Sequence, residues 1–245
     1  MIDLRPTQTR YVSQRVQAFQ DGFRHNLALV GPPGIGKTTL AQSAIQAPAI
    51  RLPVIQCQLQ REPLRDFSRR MALAVLRAAL DQPAASSLEA LRDQAASVVP
   101  LTASAIEQME SLTVHHASTE LFTRALDLVA VFQQECGQPC VLLLDEVLRI
   151  EEFGLAQAFH ELGKRVMTWS STLFVLTSSS PFRARHILQE RLQLLFGQFE
   201  VITFGPVETE PAMAWMQREL SSAKRFALLM QFLLHWIGAS PWHLH

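Results

Sequence analysis

The chain has 245 residues, 48% of them hydrophobic, enough to fill the core of one large α/β domain or of a domain with a small appendage. Its 22 basic and 22 acidic side chains cancel, so no overall field draws it to nucleic acid. Three cysteines, Cys57, Cys136 and Cys140, have neither the even count of a disulfide framework nor the spacing of a zinc site, and read as reduced, mostly buried thiols.

The N-terminus, with Asp3 and several Arg and Gln, lacks the apolar core of a signal peptide. The longest apolar helical pattern, Phe226 to Ile237, is interrupted by Gln231 and His235 and falls short of the roughly 20 helical residues a bilayer demands. A cytoplasmic protein without membrane contact is expected. Charge is unevenly placed: residues 1–80 carry 11 basic against 4 acidic side chains, residues 81–161 carry 3 against 13, and the remainder 8 against 5. Such asymmetry suits surfaces that pair between subunits or within one.

Residues 1–25 read as a polar approach with a short amphipathic helix, Val12, Val16, Phe19 and Phe23 recurring at helical spacing. The apolar run Leu27–Val30 predicts a first strand. It leads into Gly31-Pro32-Pro33-Gly34-Ile35-Gly36-Lys37-Thr38-Thr39, which spells G-x-x-x-x-G-K-[ST], a phosphate-binding loop. Glycines there take backbone angles closed to other residues, so main-chain N–H groups can turn inward on a polyphosphate, and the following helix adds its positive end. On this reading Lys37 reaches the β- and γ-phosphates and Thr38 is a ligand of Mg²⁺. The segment before the first strand often covers the base in such enzymes, which makes Tyr11 and Val12 candidates for adenine contact; an anchoring role for Tyr11 is the alternative.

The loop helix is expected to run to about Ala47, stopped by Pro48. Val54–Leu59 predicts a second strand, and Pro63 to Leu80 a helix with Leu64, Phe67, Met71 and Val75 as its apolar stripe. The opposite face collects Arg61, Arg65, Arg69, Arg70 and Arg77, either a phosphate-backbone contact or a solvated face broken by Glu62 and Asp66. Residues 81–117, rich in Ala and Ser, are expected to be an insertion or partner surface, as loop or weak helices. His115-His116 has no Cys or carboxylate at ligand spacing. Leu121, Ala125, Leu128 and Phe132 predict a helix over Thr119–Glu135, ended by Gly137 and Pro139.

Val141-Leu142-Leu143-Leu144-Asp145-Glu146 reads as a central parallel strand ending in acids. Asp145 would hold Mg²⁺ and Glu146 would activate the attacking water as general base. A helix is expected over Gly154–Met167, then a strand over Ser171–Thr177. A polar residue at that strand's tip is well placed to sense a γ-phosphate, and Thr177 or Ser178 fits, while Ser179 and Ser180 read as caps. Arg183, Arg185 and Arg191 are candidates for a finger on a neighbouring subunit's phosphate, with Arg191 taken into the catalytic set; surface arginines are the alternative. Phe199–Phe204 predicts the last strand and Thr209 opens a helix.

Alternating strands and helices predict an α/β fold, a doubly wound parallel sheet with right-handed crossovers. With Gly31–Thr39, Val141–Glu146, Leu176-Thr177-Ser178, the stretch from Glu190-Arg191-Leu192 to Phe199–Ile202 and the pair Gly238/Pro241, nearly the whole chain resembles the AAA+ ATPases, in particular the archaeal-type ATPases related to replication initiators and the STAND NTPases. The resemblance implies a P-loop ATPase core over 1–205, with 81–117 as a possible insertion, and a partial helical lid over 206–245. It implies ATP and Mg²⁺ as cofactors, Pro241 near the nucleotide, and adenine over guanine. No arginine stands in Gly238–Trp242, where many relatives place one, which leans towards a slow switch. Relatives usually continue into a winged-helix or other effector domain, so the chain is expected to be either a minimal ATPase or a shortened form.

Three functions follow as expectations. The first is an ATP-binding and hydrolysing module whose γ-phosphate state controls assembly with itself or a partner. The second is a DNA-associated loader, initiator or transposition-type regulator. The third is a non-catalytic scaffold that keeps nucleotide for folding.

Overall fold

The computed structural model describes residues 4–47, 49–80, 87–112, 118–187 and 198–219, the side chains of Gln217 and Glu219 excepted. Within them lie five strands, β1 (Asn26–Val30), β2 (Val54–Gln58), β3 (Cys140–Asp145), β4 (Thr172–Ser178) and β5 (Phe199–Thr203). All pair in parallel, in the order β2-β3-β4-β1-β5. The aliphatic runs β1, β3 and β4 are buried at every position and occupy the centre, as strands covered on both faces require. β2 and β5, with partial burial, take the edges. The expected doubly wound α/β sheet is the fold observed.

Side-chain alternation splits the core into two layers. Leu142 and Leu144 of β3 and Phe174 and Leu176 of β4 enter one cluster, with Phe67, Met71, Phe122 and Phe132 from the covering helices. Val141, Leu143, Leu173 and Val175 face the other, with Val12, Val16, Ile35 and Leu40. Helices α1 (Pro6–Gln20) and α2 (Lys37–Ile45) build this second layer. Asn26 is 1% exposed at the head of β1, and its Oδ1 accepts from the Phe174 N–H at 3.0 Å, so its burial carries no orphaned acceptor.

The opposite layer holds α3 (Leu64–Leu80), α4 (Leu88–Ala95), α5 (Pro100–Leu112), α6 (Ser118–Cys136) and α7 (Ala158–Thr168). The Ala/Ser-rich stretch 87–112, left open between loop and weak helices, forms α4 and α5. Leu91, Ala95, Ile106 and Met109 bury themselves among the residues of α3 and α6. Glu135 of α6 caps α5 from outside, accepting from the Leu101 N–H at 2.7 Å, the Thr102 N–H at 2.8 Å and the Thr102 hydroxyl at 2.7 Å.

Two local expectations change. α1 ends at Gln20 and Gly22, at φ 97°, turns the chain, leaving Phe23 67% exposed and off the buried stripe. The helix expected over Gly154–Met167 forms as α7 but starts only at Ala158, and an unexpected 3₁₀ helix, Val147–Phe153, precedes it, terminated by Gly154 at φ 67°. Short α8 (Pro181–His186) follows β4, and α9 (Thr209–Glu219) follows β5.

Candidate active site

β1 delivers its chain to Gly31 beside the end of β5. A Cβ on Gly31 would lie 2.7 Å from the Phe204 Cβ and 2.8 Å from the Phe204 carbonyl oxygen, so only glycine permits this approach. Gly34 and Gly36 adopt φ 71° and 89°, the left-handed region, and Gly36 is the N-cap of α2. Ile35 is 3% exposed and anchors the loop in the core beneath it, while Pro32, Pro33 and Thr39 face outward.

Lys37, 4% exposed, folds back over the loop. Its Nζ donates to the carbonyls of Gly31 at 3.0 Å and Pro32 at 2.9 Å, and to the Ser179 Oγ at 3.1 Å. Burial lowers its pKa, against the pull of the Glu146 and Asp145 carboxylates. The Thr38 hydroxyl donates to Asp145 Oδ1 at 2.8 Å.

Parallel register brings the acids to the same edge. Gln58 pairs with Asp145, Leu144 with Leu176, and Leu29 and Val30 with Thr177 and Ser178. Asp145 is 3% exposed, and its Oδ1 also accepts from the Thr177 hydroxyl. That hydroxyl oxygen accepts in turn from the Glu146 N–H at 3.0 Å. Glu146 stands at φ 57°, ψ 50°, alone among the described non-glycine residues in having a positive φ. Such strain persists only where surrounding contacts over-determine it. Here they do: Glu146 Oε2 accepts from the Ser179 N–H at 3.0 Å and Oε1 from the Ser179 hydroxyl.

The polar tip of β4 therefore divides its work differently from the sequence reading. Thr177, 1% exposed, has its one proton on Asp145 and lies behind the acid pair. Ser178 accepts from the Ser180 N–H at 3.1 Å, a turn contact. Ser179, read from the sequence as a cap, is the residue touching both Lys37 and Glu146. Its position one residue past the strand, opposite the acidic strand end, was the available signal.

The adenine candidates differ in setting: Val12 is buried, whereas Tyr11 lines an open pocket between α1 and β5. Val12 is 0% exposed in the α1–α2 layer. The Tyr11 hydroxyl donates to Glu200 and accepts from Arg15 Nη2 at 2.8 Å, with Arg15 Nε on Glu200 Oε2 at 2.7 Å, so the anchoring alternative describes its contacts. The segment reaching the loop's flank lies earlier. Arg5 Nη2 donates to the Gly205 carbonyl at 2.6 Å, the Arg5 guanidinium stands 5.2 Å from the centre of the Phe204 ring, and Leu4 packs on Val207 and Ala212. Arg183 pairs with Glu151, and Arg185 donates to the Thr203 hydroxyl at 2.8 Å, so both finger candidates have partners within the chain. Arg191, Gly238 and Pro241 lie outside the described residues, as do His115-His116 and most of the expected lid. Arg61, just before α3, and Arg65 and Arg69 on it are exposed, and Arg70 is paired with Glu62. Among the described residues no helix is long and apolar enough to cross a membrane.

A glycine loop between β1 and α2, with an acidic strand tip one strand removed, defines a P-loop NTPase fold. The sequence model of the AAA ATPase domain matches residues 4–175, and the chain belongs to that family, the AAA+ P-loop ATPases. No curated protein sequence matches it. Among solved structures it is similar to the Aeropyrum pernix ORC1 protein in complex with DNA, at 13% identity and TM-score 0.59, covering 98% of this chain and 57% of that one. It is also similar to Cdc6p from Pyrobaculum aerophilum, at 13% identity and TM-score 0.53, with 88% and 48% covered. The Aeropyrum pernix ORC2 protein, in ADPNP-ADP complexes, gives 14% identity, TM-score 0.50 and 89% and 52% covered. The chain spans about half the length of these structures.

Proposed function

We propose that the chain binds ATP with Mg²⁺ and hydrolyses it, and that the state of the γ-phosphate controls its assembly with itself or a protein partner. One observation carries this reading: Lys37, Thr38, Asp145, Glu146 and Ser179, from three strand ends, are joined through Thr177 into one hydrogen-bonded network at the C-terminal edge of the sheet. Ligands of doubly wound sheets bind along that edge. The donor set fits magnesium, since Thr38 Oγ1 and Asp145 Oδ1 are hard oxygens 2.8 Å apart, leaving the remaining positions to phosphate and water. Bound there, Mg²⁺ supplies neutralisation of charge developing on the phosphates. The loop's main-chain N–H groups and the Lys37 ammonium bind and orient the β- and γ-phosphates. The Glu146 carboxylate accepts the proton of the attacking water.

Steady-state hydrolysis by wild type, Lys37→Ala and Glu146→Gln, each with and without duplex DNA across a salt series, tests it. Expected are loss of nucleotide binding in Lys37→Ala and tight ATP without turnover in Glu146→Gln. Equal affinity in Lys37→Ala overturns the loop assignment, and normal turnover in Glu146→Gln removes Glu146 as base. Stabilisation by ADP and ATP alike with no turnover would instead favour the scaffold. A second reading, a DNA-associated ATPase, is favoured by the exposed Arg61 before α3 and Arg65 and Arg69 on it, and by the DNA held by the ORC1 structure. Turnover stimulated by DNA, with binding that weakens steeply as salt rises, would bring it forward.

A further inference from the structure

Several charged side chains on the helices beside β2 are matched within the chain. Arg70 of α3 pairs with Glu62, whose hydrogen bond raises the Arg70 pKa, and Asp66 adds to that effect. Arg92 of α4 pairs with Glu110 of α5. Two sets are left over. Arg61 before α3 and Arg65 and Arg69 on it are exposed and have no ion pair or hydrogen bond among the described residues, and the same holds for Glu89 and Asp93 on α4. Arg65 and Arg69 stand four residues apart on one helix, as do Glu89 and Asp93, and like charges at that spacing repel. Nothing among the described residues offsets either repulsion.

The two sets are neighbours. α4 packs against α3, burying Leu88, Leu91 and Ala95 in the cluster that holds Phe67, Met71 and Val75. The outer side of this helix pair therefore carries a positive patch beside a negative one. A two-fold axis through such a surface lays each patch on its opposite, since residue i meets j wherever j meets i. Exposed ion pairs contribute little by themselves. An apolar contribution stands at the end of α4, where Val98 and, on α5, Leu101 are 57% and 63% exposed. The same arginines carry the DNA reading above. A duplex is the poorer occupant, because Glu89 and Asp93 beside them repel phosphate and the chain as a whole is neutral.

We propose that the outer side of α3 and α4 is a docking surface for a second copy of this chain. In this two-fold dimer Arg65 and Arg69 of each copy face Glu89 and Asp93 of the other, Arg61 extends the positive patch, and Val98 and Leu101 leave water at its margin. The dimer deepens the self-assembly of the proposed function and rests on that reading for the ligand that would govern it. The contact itself needs no nucleotide.

Sedimentation velocity of the full chain without nucleotide is the first arm. A dimer is expected at low salt, dissociating as salt screens the pairs. The double variant Arg65→Glu with Arg69→Glu, and the double variant Glu89→Lys with Asp93→Lys, should each weaken it about 10-fold or more, because like charges then face each other. Mixing the two variants restores opposite charge at both contacts and should restore the dimer, as should combining all four substitutions in one chain. That rescue separates a lost contact from a misfolded variant. Val98→Ser should weaken the dimer as well, and an unchanged affinity overturns the apolar margin. A wild type that stays monomeric at low salt, or a dimer indifferent to both reversals, overturns the proposal. A mixture that stays monomeric overturns the pairing of α3 with α4. Loss of duplex DNA binding in the arginine variant, with no change in oligomeric state, would assign the arginines to DNA and overturn the dimer. The second arm repeats the series with a non-hydrolysable ATP analogue and Mg²⁺, binding being followed separately by titration. Absence of binding overturns the function proposed above and leaves the dimer supported by the first arm. Binding that leaves the dimer unchanged overturns nucleotide control and keeps the contact.

Discussion

The Thr38 hydroxyl donates to Asp145 Oδ1 at 2.8 Å, joining the phosphate loop to the acidic strand across 107 residues of sequence. The same oxygen receives the Thr177 hydroxyl, so two donors from different elements converge on one acceptor. Such convergence lowers the cost of burying a carboxylate that is 3% exposed. On the proposed function, Thr38 and Asp145 would also supply oxygen ligands to magnesium.

Thr38→Val keeps the shape of the side chain and removes its hydroxyl. ATP turnover should fall about 100-fold or more, the scale seen when one transition-state donor is deleted. Nucleotide binding without magnesium should persist. Turnover assayed across a magnesium titration checks this, and a wild-type rate at ordinary magnesium would count against Thr38 as a ligand.

Gly31→Ala introduces a Cβ 2.7 Å from Phe204 Cβ and 2.8 Å from its carbonyl oxygen, a clash with backbone that no side-chain rotation relieves. Its expected cost is about 1–3 kcal/mol of stability, read from urea unfolding midpoints. Gly205→Ala, where the added carbon meets nothing within 4 Å, should stay within about 0.5 kcal/mol of wild type. Equal midpoints for the two variants would refute the close approach of β1 and β5.

Glu135 supplies the pH prediction. Desolvation raises its pKa, but hydrogen bonds from the Thr102 hydroxyl and the Leu101 and Thr102 N–H groups outweigh it and hold the carboxyl below its ordinary value of 4.5. A carboxyl depressed on folding stabilises the fold above its unfolded pKa, and that contribution is lost as pH falls through the folded one. Wild type should lose stability below about pH 4.5. Glu135→Gln should be weaker by about 1 kcal/mol at pH 7 and lack this share of the acid slope. Superimposable stability–pH curves would remove Glu135 as the cap.

Thiol reactivity should separate the three cysteines. Burial pushes the Cys57 and Cys140 thiols up to about 12, and both are buried, whereas Cys136 is only partly covered and is raised less. Alkylation of the native protein at pH 8 should label Cys136 well before the others, since the thiolate is the nucleophile. Peptide mapping with and without denaturant reads this directly. Rapid native labelling of Cys57 would mean that β2 opens.

The parts legible in the sequence are those in which neighbours along the chain decide the outcome. Gly31, Gly34 and Gly36 with Lys37 and Thr38 announce a phosphate loop, because left-handed backbone and close approach are properties of glycine itself. The unbroken aliphatic run of β3 announced a central parallel strand and that of β1 a strand, and the alternation of β3 between the two core layers follows from the pleat. Tertiary structure decided what depends on register and on where separate strand tips meet. Thr177, Ser178 and Ser179 are equivalent polar residues in one dimension. Only the pairing of β4 between β1 and β3 turns Thr177 onto Asp145 and brings Ser179 to Lys37 and Glu146. Ala-rich residues 87–112 showed no decisive period, since small side chains carry little pattern, and became helices because α3 and α6 offered an apolar surface to cover. The strain at Glu146 was invisible for the same reason: a left-handed glutamate is held by contacts from another strand, and no local preference encodes it.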